Sequence, residues 1–179
     1  MLRRTILATP LALPALAQQA DPENTLLMQL KDGLVTIRMR PELAPRHVER
    51  IKLLARRGFY NNIVFHRVIE GFMAQGGDPT GTGTGGSDLP NLPAEFSPTS
   101  VARFVRGTCG MARSANPDSA NSQFYIMFAP APSLDGGYTI WGQVTSGMEA
   151  VDRIKRGSGQ GGIVAGPDRI QSLRVAADR

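Results

Sequence analysis

Cysteine is almost absent from this chain. Cys109 stands alone, so neither an intramolecular disulfide nor a cysteine-ligated zinc site can form. Histidine is nearly as scarce. His47 and His66 are the only two, and neither lies in an H-E-x-x-H helix or a G-x-S-x-G elbow, so zinc-protease and serine-hydrolase chemistry lack their parts. The acidic residues are scattered and form no carboxylate pair or calcium loop. No stripe of Lys and Arg interleaves with aromatics, which argues against a nucleic-acid partner. Gly81, Gly83 and Gly86 satisfy G-x-G-x-x-G, but Ser87-Asp88-Leu89-Pro90 follows where a helix is needed, and no Gly-Lys-Ser/Thr occurs. Nucleotide binding is therefore set aside, and no cofactor is implied.

What is present is an ordinary globular composition, 179 residues at 41% hydrophobic and 20% charged, enough for one well-packed domain. The first twenty or so residues differ from the rest. Arg3 and Arg4 precede a short apolar run broken by Pro10 and Pro14, and Ala15-Leu16-Ala17 is a small-residue cleavage site. The run is too short to span a bilayer. The pattern predicts a cleavable export signal over 1–17 and a periplasmic or secreted bacterial protein with no membrane anchor after cleavage. A short extension over 18–24, one domain over 25–176 and a tail over 177–179 follow. Loss of Arg3 and Arg4 lowers the formal net charge from +5 to +3 (5 − 2).

The domain opens with a hairpin pattern. TLLMQLK (25–31) and LVTIRMR (34–40) flank Asp32-Gly33, a pair suited to a two-residue turn. Alternation sends Val35, Ile37 and Met39 to the core. A helix is expected over 44–58, where Val48, Ile51, Leu54 and Ala55 recur at helical spacing, Pro45 suits the first turn and Gly58 the stop. His47 falls on its expected solvent side, whereas His66 reads as a structural histidine under a sheet. A second helix is expected over 146–157, with Ser146 and Glu149 as a capping box and Gly157 as its end. Further strands are expected over 62–69, 72–76, 108–112, 123–128, 138–144 and 169–176. The sum is a mainly β fold, a closed eight-stranded antiparallel β-barrel capped by two α-helices. No heptad or apolar surface stripe points to an oligomer, so the chain is expected to be a monomer with Cys109 buried.

FHRVIEGFMAQGGD (65–78) carries a cation and an amide inside a strand-like segment. Met73 and Gln75 project to one face, as do Gln123 and Tyr125 in SANSQFYIM (119–127). With Phe72 and Arg67 they describe an apolar pocket rimmed by one guanidinium and two amides. Such a site can hold an apolar ring and place a fixed donor beside it. A peptidyl-proline bond fits. Its rotation needs only loss of amide resonance against a barrier of about 18–20 kcal/mol. A guanidinium aimed at the prolyl nitrogen favours the twisted state, in which that nitrogen regains its lone pair.

FHRVIEGFMAQGGD, GTGTGG (81–86), GMARSANPDSANSQFYIM (110–127) and LDGGYTIWGQV (134–144) together resemble the cyclophilins, peptidyl-prolyl isomerases of the eight-stranded barrel type, and the bacterial branch most. The resemblance runs from about Thr25 to Val175. It implies that Arg67 is the catalytic arginine and that Gln75 contacts substrate and steadies it. Phe72, Met73 and Leu134 match the walls of the proline pocket. Ala112 and Arg113 match the segment whose backbone pairs with the residue before proline, and Gln123 lines the same groove. Tyr125 replaces a pocket phenylalanine and adds a hydroxyl that should rim the pocket at little cost if it reaches water or a partner. Tyr138 replaces a histidine lining the site, and Arg113 an asparagine used through its backbone. The implied function is isomerisation of Xaa-Pro bonds in unfolded or flexible polypeptides during folding of exported proteins. A proline-peptide binding module or chaperone with little turnover would use the same groove, and Tyr125 and Tyr138 are the departures that favour it.

Overall fold

The computed structural model describes residues 21–178. The expected export signal over 1–17 lies outside the described residues, as do 18–20 and Arg179.

The opening hairpin forms as its alternation dictates. β1 (Thr25–Leu30) pairs antiparallel with β2 (Gly33–Met39), and Val35, Ile37 and Met39 are all buried. Leu30 pairs with Gly33, so the two-residue turn is Lys31-Asp32, one position before the expected pair.

α1 (Pro45–Arg56) buries Val48, Ile51, Leu54 and Ala55, with Pro45 in its first turn. Its N-cap, Ala44, has no side chain to offer the unpaired first-turn N–H groups. Glu95 supplies that cap from a distant loop, accepting from Arg46 N (3.2 Å) and His47 N (3.0 Å). The same carboxylate accepts Nδ1–H of His47 at 2.6 Å. His47 is therefore not on a solvent face but fully buried. Helical spacing itself places His47 on the stripe, at i, i+4 and i+7 with Ile51 and Leu54, and the distant Glu95 supplies the polar partner that its burial needs.

Six more strands complete the sheet: β3 (Arg67–Ile69), β4 (Met73–Gly76), β5 (Thr108–Met111), β6 (Phe124–Met127), β7 (Ile140–Ser146) and β8 (Ser172–Val175). They are antiparallel in the order β3-β4-β6-β5-β7-β2-β1-β8. The sheet is a curled half-barrel. Among the described residues no ladder joins its end strands β3 and β8, and the expected full closure is replaced by single bridges such as Val64↔Arg169.

Alternation splits the side chains between two apolar clusters. Ala74, Cys109, Met111, Phe124, Ile126 and Trp141 fill the concave interior beneath α1. Met73, Phe104, Tyr125, Met127, Ala131 and Ile140 pack on the opposite face. Cys109 is fully buried, and burial pushes its thiol far above the usual range.

The second helix, α2 (Met148–Asp152), is shorter than expected and lacks the Ser146–Glu149 box. Ser146 belongs to β7 and pairs with Thr36. Gly147 then enters the helix at φ +81°, where an added Cβ would lie 2.1 Å from the Leu34 carbonyl oxygen. That close approach and the positive φ both require glycine, and no side chain caps the helix. The helix ends well before Gly157, with Arg153 as C-cap, although Ile154 still packs into the core.

Candidate active site

A single row of cross-strand pairs lays the floor of the site. Arg67 on β3 stands opposite Gln75 on β4, Gln75 opposite Tyr125 on β6, and Tyr125 opposite Gly110 on β5. Residues directly opposite in antiparallel strands share a face, so the row brings Arg67, Gln75 and Tyr125 to the same side. Gly110 lacks a side chain for a reason. A Cβ there would lie 2.6 Å from both Tyr125 Cζ and Phe104 Cε1, so the tyrosine ring lies over the bare glycine. Phe104 stacks on Tyr125 with ring centroids 5.8 Å apart, and Tyr138 meets it edge-on at 6.1 Å.

Above this floor lies a pocket of about 410 Å³. Phe72 enters it from the turn before β4, Met73 from β4, Leu134 from a short 3-10 helix (Pro132–Leu134), and Tyr138 from the loop before β7. Arg67, Gln75, Tyr125, Ala112 and Arg113 line it too. Gln123 lies next door, in a polar cleft of about 530 Å³ that shares Gln75, Ala112 and Arg113 with the pocket. All ten residues singled out in the sequence thus lie in one groove.

The polar side chains form a chain with one direction. Arg67 Nε donates to Gly161 O at 3.0 Å, and Nη1 donates to Gln75 Oε1 at 3.1 Å. A guanidinium only donates, so Gln75 must present its oxygen to it and its Nε2 onward. That Nε2 donates to Gln123 Oε1 at 3.0 Å, and Gln123 Nε2 donates to the carbonyls of Gly83 (3.0 Å) and Gly85 (2.8 Å).

The loop that ends this chain is held from inside by Asp78, which is 1% exposed. Its carboxylate accepts from the backbone N–H of Thr80 (2.8 Å), Gly83 (2.6 Å) and Gly85 (3.1 Å), and from the Thr80 hydroxyl. Burial alone would raise the Asp78 carboxyl, but these hydrogen bonds together hold it below the usual carboxylate range. The glycines at 81, 83 and 86 therefore serve a loop folded around a carboxylate, with no helix after it.

Tyr125 lies deeper than the pocket rim. It is 5% exposed, and its hydroxyl has no hydrogen-bond partner among the described residues. Burial, and secondarily Tyr138, push the phenol up, so it stays neutral. Arg113 offers more than its backbone. Its side chain is not idle: the guanidinium lies 4.4 Å from the Tyr138 ring centroid and 5.7 Å from that of Phe96. His66, read as purely structural, also lines the pocket beside Arg67. It is 4% exposed, and burial lowers its pKa, so it is neutral at pH 7. The Arg113 contacts had no local signal, because Phe96 and Tyr138 are far from it in sequence, whereas His66 is the neighbour of Arg67 and strand alternation assigns it to the other face.

Residues 25–175 match the family model for the cyclophilin type peptidyl-prolyl cis-trans isomerase/CLD. A probable peptidyl-prolyl cis-trans isomerase of Brucella suis is 55% identical over 90% of this chain and 87% of its own length. An isomerase of Arabidopsis thaliana is 40% identical over 75% of this chain and 81% of its own. Among crystal structures, the cyclophilin AquaCyp293 from Hirschia baltica superposes with a TM-score of 0.77 at 28% identity, covering 89% of this chain and 76% of that one. A Cryptosporidium parvum cyclophilin type isomerase, crystallised in the presence of the dipeptide Ala-Pro, gives 0.76 at 27% identity, covering 84% and 98%. The match spans the whole sheet and every residue of the groove, and the chain belongs to the cyclophilin-type peptidyl-prolyl cis-trans isomerases.

Proposed function

We propose that Arg67 is the catalytic group of this isomerase. The observation that carries this is its fixation at the pocket's edge, by Gly161 O through Nε and by Gln75 Oε1 through Nη1, with Nη2 unengaged among the described residues. A proline ring seated among Phe72, Met73, Leu134 and Tyr138 brings its nitrogen beside this cation. In the planar ground state the nitrogen lone pair is delocalised into the carbonyl. As the bond twists the lone pair localises, and a donor already in place stabilises the twisted state more than the planar one. Gln75 is the positioning residue: its amide, oriented by Gln123, holds the guanidinium in one rotamer. No bond to the protein forms or breaks.

The substrates are Xaa-Pro segments of unfolded or flexible chains. The crystal structure of the Cryptosporidium relative in the presence of the dipeptide Ala-Pro supports that class of ligand. The Arg3-Arg4 start, the short apolar run and Ala15-Leu16-Ala17 support export, and with it a role in folding exported proteins. Sequencing the N-terminus of protein recovered from a periplasmic fraction tests this. A chain beginning at Met1, found only in the cytoplasm, would overturn it.

The catalytic assignment is tested by NMR exchange of an Ala-Pro peptide with the unmutated protein and with Arg67→Ala. Acceleration should fall about 100-fold to 1,000-fold, as when a transition-state donor is removed, while the peptide still binds. Peptide binding without acceleration by the unmutated protein would point instead to a proline-peptide binding module.

A further inference from the structure

The two walls of the groove carry two guanidiniums and no carboxylate. Arg67 lines the apolar pocket, Arg113 lines both the pocket and the polar cleft, and among the described residues no Asp or Glu lines either. Neither arginine makes an ion pair among the described residues. The acids of the flanking loops are turned elsewhere. Glu95 is committed to His47 and the start of α1, and Asp118 accepts from Ala94 N at 2.8 Å.

Arg113 is built as a fixed charge. Nε and Nη2 both donate to Gly137 O, at 3.1 and 2.8 Å, and Nη1 donates to Ser114 O at 2.8 Å. The Tyr138 and Phe96 rings add two contacts to the same guanidinium. Carbonyl oxygens and aromatic faces are neutral partners: they fix the side chain without cancelling its charge. Three of its N–H groups are engaged by those carbonyls, which leaves two of the five a guanidinium carries. The rotamer entropy that a surface arginine loses on pairing is already spent here.

We infer that Arg113 is a specificity-determining residue that selects Xaa-Pro segments carrying a carboxylate side chain within the two residues before the proline. This rests on the reading of the groove as the place where Xaa-Pro segments bind. The carboxylate meets a preorganised cation on the wall between pocket and cleft, while a lysine at the same position meets repulsion from Arg113 and Arg67 together.

The test is NMR exchange and titration with matched peptides carrying Glu, Gln or Lys either one or two residues before proline, with Ala-Pro as reference. At low salt, the Glu peptide of at least one series should show kcat/KM about threefold above Gln, with Lys below Gln. The Glu-to-Gln ratio should shrink towards one at about 0.5 M salt. In Arg113→Gln it should approach one at low salt, and in Arg113→Lys part of it should survive. Equal rates for Glu and Gln in the unmutated protein, or a Glu preference that persists in Arg113→Gln, would overturn the inference. Should Arg113→Gln fail to fold, Arg113→Lys and the salt series on the unmutated protein decide. Ala-Pro keeps the two readings apart: if it is accelerated while Glu and Gln behave alike, only the selectivity fails. If Ala-Pro is not accelerated at all, the isomerase reading of the groove fails, and the binding ratio alone tests Arg113.

Discussion

Phe124 and Tyr125 are neighbours on one strand and live under different rules. Phe124 points into the concave interior, edge-on to Tyr60 and Trp141 at 5.5 and 5.6 Å. Tyr125 points to the opposite face, over Gly110 and beneath the pocket. The interior is a closed apolar packing that holds the sheet in its curl. The other face is only half covered. It keeps a glycine where the Tyr125 and Phe104 rings leave no room for a Cβ, leaves a phenol without a partner among the described residues, and uses its amides to orient a cation. Alternation along a strand thus lets one segment stabilise the fold with its even residues and build the site with its odd ones, so the two can be perturbed separately.

The sharpest test of that separation pairs two substitutions. Phe124→Ala should destabilise the protein by about 3–5 kcal/mol in urea unfolding, the cost of a large buried cavity, while the molecules that remain folded keep their isomerase activity. Arg67→Ala should do the reverse and leave the urea midpoint nearly unchanged. If Arg67→Ala unfolds the protein, the two faces are not independent. Next in size is Gln75→Leu, which removes the orienting amide but keeps Arg67. It should lower kcat/KM about tenfold through misplacement of the guanidinium, with little change in stability.

Tyr125→Phe sharpens the comparison from the other side. Removing a buried hydroxyl that has no partner should raise stability by about 1 kcal/mol without abolishing turnover. A loss of stability would mean that the hydroxyl is satisfied by water in solution. The smallest effect is on pH. Burial lowers the pKa of His47, against the pull of Glu95, and likewise that of His66. The unfolded chain therefore takes up protons first, at its ordinary histidine value of 6.5. Stability should be full above that value and decline as pH falls below it. His47→Gln should flatten part of the decline seen in the urea midpoint between about pH 7 and pH 5.

The interior was the more legible of the two faces. Val35, Ile37 and Met39, and the stripe on α1, follow from periodicity because burial there depends only on position within an element. The site was legible where neighbours in sequence share a face, as Met73 does with Gln75 and Gln123 with Tyr125. It was opaque where distant segments meet. Glu95 gives a buried His47 its polar partner, Tyr138 and Phe96 give Arg113 a side-chain role, and the Leu34 carbonyl leaves no room for a side chain at Gly147. Each of these depends on a partner that periodicity cannot name. Closure of the sheet was overstated for a related reason: counting strands says nothing of whether the end strands find enough length to form a ladder.

The lone thiol of Cys109 sits in β5 with no exposed surface, and burial keeps it protonated. Only the thiolate reacts readily with alkylating or oxidising reagents, so in the native molecule this sulfur is chemically silent. It becomes visible only when the strand carrying it leaves the sheet. The rate at which iodoacetamide marks Cys109 is then a clock for opening of the interior, readable by mass at a single atom and without an engineered cysteine.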